Sequence, residues 1–286
     1  MQSLFLGLAA ALAWGVHDLC VRFVAQRTGI LAAMLTVLAA GAILVGAAAV
    51  LWGDWSAMTA GAAGLAGLSG SFFALATYAL YRAFALGPVK LAAPLIGAYP
   101  VLSLGLATLQ GQPLGAWHWL AAAAVVCGVG SVAVLAPGEA PQAGEDRVAA
   151  RMGTLLWSLA AAAGFALTFA AGQAASRAGA ELPVLVLARM AAILAVLAIA
   201  LPRGALPRPP RRVLPLLCLM GALDALALGL VIVSGGLPRP EFAAVSSSLF
   251  GLITVILAWL FLREGMTRGQ WLAVTVTFAG IACLGL

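Results

Sequence analysis

The chain has 286 residues, of which 64% are hydrophobic and 8% are charged, and its formal net charge at pH 7 is +6. Soluble domains carry about 25% charged residues, so this composition excludes an ordinary soluble globular protein. The positive charge does not indicate a nucleic-acid surface, because most arginines fall at the ends of apolar stretches and no basic run alternates with aromatic residues. The composition is typical of a protein embedded in a membrane.

Ten apolar stretches, each close to the length that crosses a bilayer, fill almost the whole chain. A transmembrane helix needs about 20 predominantly apolar residues, and these stretches lack the alternation of a transmembrane β-strand. The first begins at residue 2 without a basic segment before it, which favours a retained helix over a signal peptide. The predicted spans are residues 2–25, 30–52, 62–86, 91–110, 117–135, 152–176, 182–201, 213–235, 242–262 and 269–286.

The longest polar segment, residues 136–151, separates the first five spans from the last five. It contains two prolines, two glycines and five charged residues, a composition typical of a solvated linker. A shift of 152 residues aligns 119–121 with 271–273, Gly128 with Gly280 and Gln112 with Glu264. Because five is odd, two copies of such a unit enter the membrane from opposite sides.

The fold class predicted from these patterns is an all-α polytopic membrane protein with ten transmembrane helices in two inverted five-helix repeats. Residues 1–136 form the first repeat, residues 137–151 the polar linker and residues 152–286 the second repeat. Most arginines lie at odd-numbered connections. The positive-inside rule therefore predicts cytoplasmic odd connections and both termini outside.

Four short motifs carry a resemblance to a known family. Trp14-Gly15 lies in the first span, Tyr81-Arg82-Ala83 closes the third, Pro100-Val101 lies in the fourth, and residues 261–271 join the ninth to the tenth. In this order they resemble the EamA-type ten-helix carriers of the drug/metabolite transporter (DMT) superfamily, which include YddG-like amino-acid exporters. The resemblance implies alternating access around a central cavity.

The sequence departs from that family in two motifs and in its charge pattern. Gln112 stands where the first half would carry a glutamate, and Leu252 where the second half often has a proline. The resemblance also implies cytoplasmic termini, whereas the arginine count favours termini outside.

Four charged residues inside the spans are functional candidates, because charges are costly within a bilayer. Asp224 has no charged neighbour in sequence, and an unpaired buried carboxyl suits proton coupling. Asp18 and Arg22 are four residues apart, so both lie on one helix face where they can pair. Arg189 could bind a substrate carboxylate, reach the membrane interface, or pair with Asp18 or Asp224. Each of these groups could instead lock helices together.

Aromatic residues of the first, third and fourth spans are candidates for a substrate site: Trp14, Tyr78, Tyr81 and Tyr99. Flat apolar rings with a polar donor suit an amphipathic solute, although helix packing or an interfacial belt explains them equally well. Carriers of the family that the chain resembles build their cavity from the first, third, fourth, sixth, eighth and ninth helices. The resemblance therefore implies four further site residues: Phe165, Thr168, Ser246 and Phe250. His17 is interpreted as a packing histidine, with a proton relay to Asp18 as the alternative.

The expected function is secondary active export of small amphipathic metabolites, such as amino acids, across a bacterial-type inner membrane. The alternatives are uptake or exchange of another solute (a sugar or a cationic amine), or lipid-headgroup flipping. The expected partners are a small-molecule substrate, the bilayer and protons, without nucleic acid, in a monomer or weak homodimer. No enzyme activity, cofactor or metal site is expected, because the Gly-x-Ser-Gly form at 67–70 lacks a suitable histidine and there is no P-loop.

Overall fold

The computed structural model describes residues 2–25, 28–109, 115–135, 147–203, 209–237 and 241–284. These residues form twelve α-helices, joined in places by short 3₁₀ turns, and contain no β-strand. The helices are α1 (Gln2–Ala25), α2 (Ile30–Trp52), α3 (Ala60–Leu86), α4 (Val89–Gly97), α5 (Tyr99–Leu109), α6 (Ala116–Leu135), α7 (Arg147–Ala178), α8 (Glu181–Ala200), α9 (Leu214–Val233), α10 (Glu241–Ser247), α11 (Phe250–Leu257) and α12 (Arg268–Leu284).

Every predicted span coincides with one helix or one interrupted helix. The first two have the predicted bounds, α4 and α5 together form the fourth, and α10, α11 and the π-helical turn Ala258–Leu262 form the ninth. Within the described residues, eight helical segments are long and apolar enough to cross a membrane, and Ala116–Val132 is a shorter apolar helix. The prediction of an all-α polytopic membrane protein is confirmed.

The predicted linker lies partly outside the described residues, which exclude 136–146 and also Gln112. Its last residues belong to α7, which begins at Arg147 rather than at residue 152. The helix therefore takes in residues 147–151 of the predicted linker, where alanine and arginine have high helix propensity.

The fourth and ninth spans are both interrupted, and the two interruptions contact each other. Pro94 and Pro100 lack the N–H that a continuous helix needs, and the chain breaks at Ala98. A Cβ added to Gly97 would lie 3.1 Å from the carbonyl oxygen of Ser248, at the break between α10 and α11. A glycine at 97 therefore lets the two breaks pack backbone to backbone.

Small residues set the closest helix contacts. At 61–67 of α3, Ala62 and Ala66 are fully buried, whereas a Cβ on Gly64 or Gly67 would meet nothing within 4 Å. The close approach comes later in α3, where a Cβ on Gly70 would lie 1.9 Å from the carbonyl oxygen of Ala188 on α8. A second close contact joins α6 to α12, where a Cβ on Gly128 would lie 2.4 Å from Thr277 Oγ1.

Candidate functional site

An internal cavity lies where α1, α3, α7, α9 and α11 meet. Its open centre has room for little more than one water molecule, so the site is narrow in this conformation. Ten residues line it: Trp14, His17, Asp18, Phe73, Thr77, Leu80, Phe165, Phe169, Asp224 and Phe250.

Aromatic rings form most of the cavity wall. The Trp14 ring lies 5.6 Å from that of Phe169 and 6.1 Å from that of Phe250, measured between centroids. Phe165 stacks on Phe169 at 6.1 Å and meets Phe73 edge-on at the same distance. Contacting rings at these separations attract each other through their quadrupoles as well as by burial. The wall is therefore a packed set of flat apolar faces from four helices.

Asp224 of α9 is held by two partners. Trp14 Nε1 donates a hydrogen bond to Asp224 Oδ1 over 3.1 Å, and Arg189 Nη1 of α8 donates to Asp224 Oδ2 in a buried ion pair. The Arg189 guanidinium carbon also lies 5.2 Å from the centre of the Phe73 ring. The expectation that Asp224 lacks a cation is therefore wrong, and of the alternatives for Arg189 the structure shows pairing with Asp224.

Asp18 of α1 is buried with only part of its hydrogen-bonding capacity used. His17 Nδ1 lies 3.0 Å from Asp18 Oδ1, whereas Asp18 Oδ2 has no partner among the described residues. His17 Nε2, Thr77 Oγ1 and the Tyr81 hydroxyl are also buried without a described partner. Unpaired buried polar atoms are costly. Three of them, on Asp18, His17 and Thr77, belong to residues that line the cavity, so its wall carries polar atoms without a described hydrogen-bond partner.

The predicted pair between Asp18 and Arg22 does not form. Arg22 Nη1 instead donates to the carbonyl oxygens of Phe84 and Gly87, over 2.5 and 3.0 Å. These carbonyls lie at the end of α3, where a helix leaves carbonyl groups without intrahelical partners. Arg22 therefore binds α1 to the end of α3, away from the cavity.

The three tyrosines lie outside the cavity lining. Tyr78 packs edge-on against Trp157 at 5.7 Å between ring centres. Tyr81 is fully buried, with its ring 6.5 Å from that of His17. Tyr99 shares a 2.7 Å hydrogen bond with the Ser247 hydroxyl, behind the ring of Phe169. The prediction that Tyr78, Tyr81 and Tyr99 belong to the substrate site does not fit this cavity, which none of the three lines.

Two hydroxyl residues that the resemblance implied are engaged in helix packing. Thr168 Oγ1 donates to the carbonyl oxygen of Gly164 in its own helix over 2.8 Å. Ser246 Oγ donates to the carbonyl oxygen of Leu4 over 3.2 Å and so joins α10 to α1. By contrast, Trp14, Phe165, Phe250, Asp18 and Asp224 meet at the cavity as that resemblance and the charge pattern together suggested.

Sequence reasoning missed several lining residues that follow a helical spacing. Phe73, Thr77 and Leu80 recur at intervals of four and three on α3, and Phe165 and Phe169 are four apart on α7. Such spacing places side chains on one helix face. Combined with the Trp14–Asp18 spacing of four on α1, this signal could have found them.

Hydrogen bonds that we call the Glu264 tie join the turn before α12 to the start of α4. Glu264 Oε1 and Oε2 accept from the backbone N–H groups of Val89 and Lys90 at the start of α4, over 3.1 and 3.0 Å. Lys90 Nζ donates back to the carbonyl oxygen of Gly265 over 2.8 Å. Arg263, in the left-handed region at φ 54°, gives the turn its shape. A carboxylate at a helix N-terminus is also favoured by the helix dipole.

No set of three or more histidine, cysteine or acidic side chains close enough to hold a metal ion occurs in the part of the chain that the structure describes. The four cysteines, Cys20, Cys127, Cys218 and Cys283, are free thiols.

Comparison with known proteins places these features in a family context. No curated protein sequence matches the chain. Fourteen chains of solved structures do match. One of them, described as "Crystal structure of protein", is 17% identical and superposes with a TM-score of 0.65 over 98% of this chain and 95% of its own. That likeness shows a shared fold. Residues 152–286 match the EamA-like transporter family, so the second half of the chain is similar to that family.

Proposed function

We propose that the whole chain is a secondary active transporter that exports small amphipathic metabolites, such as amino acids and related compounds. The observation that carries this proposal is the narrow aromatic cavity between the five helices of the site, in a chain whose second half matches the EamA-like transporter family. Ligand sites in such bundles lie between helices. Export rather than uptake follows the resemblance to exporters, and a bacterial-type inner membrane is the proposed location.

The interrupted helices support an inverted repeat around this cavity. Shifted by 152 residues, the first residue of α4 falls on the first residue of α10, and the break at 98 falls beside the break at 248–249. Gly128 and Gly280, which the same shift aligns, both lie in the contact between α6 and α12. Discontinuous helices at equivalent positions of two repeats are typical of secondary transporters.

The proposed cycle exposes the cavity first to one side of the membrane and then to the other. In this conformation the Glu264 tie joins the turn before α12 to the start of α4. Release of the tie, with rearrangement at the α4–α5 and α10–α11 breaks, would open that end. Hinges of this kind need only a few residues at element ends. The bilayer, a small solute and protons are the proposed partners of a monomer or weak homodimer.

Transport in proteoliposomes tests this function. The purified chain should catalyse saturable counterflow of at least one member of a panel of amino acids, amines, sugars and fluorescent lipids. Thr77→Trp, which fills the cavity, should abolish that counterflow. The matched control Thr275→Trp, on an exposed face of α12, should retain it. Equal counterflow by both variants would contradict transport through this cavity, and lipid translocation alone would favour the flippase alternative.

A further inference from the structure

We infer that the cavity recognises an organic cation, whose ammonium group binds the free carboxylate oxygen of Asp18 against the aromatic wall. This inference rests on the transport function proposed above and narrows its substrate class. It assigns to Asp18 the binding of the charged group and to the rings around it the binding of the apolar part.

The charged residues at the cavity give the first reason for this inference. Its lining contains two acids, Asp18 and Asp224, and neither lysine nor arginine. Arg189 compensates the charge of Asp224. It is 1% exposed and has its guanidinium over the Phe73 ring, outside the lining. Asp18 has only His17 beside it, at 3.0 Å, and no lysine or arginine of the described residues pairs with it.

The unpartnered oxygen of Asp18 gives the second reason. Asp18 is 1% exposed, and its Oδ2 finds no partner among the described residues. An ammonium group supplies both the missing donors and the missing positive charge, since it offers N–H donors and no acceptor. Thr77 Oγ1, which is also unpartnered and lies in the lining, can accept from the same group.

The aromatic rings of the cavity wall give the third reason. Trp14 and Asp18 are one helical turn apart on α1, so the indole and the carboxylate belong to the same helix face. A cation within about 6 Å of a ring centre is attracted by the ring quadrupole, most strongly by tryptophan. Phe165, Phe169 and Phe250 continue this wall and give a hydrocarbon substituent an apolar surface.

The same features disfavour a solute carboxylate. It would face Asp18 and Asp224 in a cavity whose lining holds no arginine, because Arg189 lies over the Phe73 ring and pairs through Nη1 with Asp224. Like charges in a desolvated site repel strongly. An amine should therefore bind more tightly than the amino acid with the same side chain, which departs from the amino-acid substrates that the resemblance implies.

A series of ligands that differ in charge tests the inference on the unmodified protein. The full chain in lipid nanodiscs is titrated with 2-phenylethylammonium, 2-phenylethanol, L-phenylalanine and 3-phenylpropionate. We expect the ammonium to bind about tenfold or more tightly than the alcohol, as hydrogen bonds to charged groups suggest, with the zwitterion weaker than the ammonium and the anion weakest. Equal affinities, tighter binding of the acid, or no binding of the ammonium would overturn the inference.

Asp18→Asn then tests the assigned residue. It should weaken ammonium binding by about tenfold and leave 2-phenylethanol binding unchanged. The matched control Asp54→Asn, at an exposed acid outside the cavity, should change neither. If Asp18→Asn does not fold, the charge series on the unmodified protein still decides. Counterflow of an acid or sugar without ammonium binding would remove this inference and leave the proposed transport function standing.

Discussion

Asp18 and Asp224 face the same cavity, but their surroundings differ. Asp224 receives hydrogen bonds on both oxygens, from Trp14 and Arg189, so its charge is balanced within the protein. Asp18 contacts only the neighbouring His17 and keeps one oxygen without a described partner. Asp224 therefore joins α1, α8 and α9, whereas Asp18 is the carboxylate that we propose for ligand binding. Burial alone does not distinguish the two roles.

The largest loss of stability should come from removing the cation that pairs with Asp224. Arg189→Met leaves Asp224 buried without its cation, which typically costs about 3–5 kcal/mol of stability. The double variant Arg189→Met with Asp224→Asn should recover most of that loss, because no charge is then left unpaired and the asparagine side-chain oxygen can still accept from Trp14. Thermal and denaturant unfolding in micelles measure both variants. Equal losses in the two would contradict the assignment of the pair.

A smaller effect should follow from moving the helix that carries Arg189. A methyl group at Gly70 would press on the carbonyl oxygen of Ala188, so Gly70→Ala should destabilise the protein by about 1–3 kcal/mol, as overpacking does. The matched control Gly67→Ala has open space in the same helix and should add about 0.4–1 kcal/mol. If both substitutions changed unfolding free energy in the same direction, the close approach of α3 to α8 would be wrong.

Loss of the Glu264 tie should change stability and transport rate without changing which ligands Asp18 and Asp224 favour at the cavity. Glu264→Gln removes the charge and one of two acceptors at the start of α4, and should cost about 1 kcal/mol, as one hydrogen bond typically does. The counterflow rate should change as well. The ratio of ammonium to alcohol affinity should stay the same, because the tie lies outside the cavity lining. A changed ratio would show that the tie and the cavity are one site.

The smallest expected effect concerns the pKa of Asp54, an exposed carboxylate outside the cavity. Its hydrogen bonds from the Ser56 hydroxyl and backbone hold the pKa of Asp54 below its ordinary value. A lowered folded-state pKa means that this contribution to stability is present above the unfolded-state pKa and is lost as pH falls through the folded-state pKa. Ser56→Ala should raise the pKa measured by NMR titration. An unchanged value would contradict the turn at 54–57.

The sequence allowed most of the fold to be predicted and only part of the site. Apolar length located a helix or an interrupted helix at each predicted span, and the prolines at 94 and 100 explain the interruption in the fourth, because both signals are local. The partner of Asp224 lies 35 positions away on another helix, where no sequence spacing reports contact. The same limit explains Arg22, whose partners are backbone carbonyls that every residue carries.

Glycines illustrate the same limit within one helix. Gly64, Gly67 and Gly70 look alike in sequence, yet only Gly70 of the three meets another helix. Which face of an apolar helix packs inward depends on its neighbours, since an all-round apolar helix carries little amphipathic signal.

Alternating exposure of the cavity is the central claim, and side-specific labelling of one cavity residue tests it most directly. In a variant without its native cysteines, Thr77→Cys places a thiol on the buried lining. Membrane-impermeant thiol reagents are then added to right-side-out or inside-out vesicles. The account predicts labelling from both sides, slowed on both sides by 2-phenylethylammonium. Labelling from one side only would show a blind pocket, and would contradict alternating access.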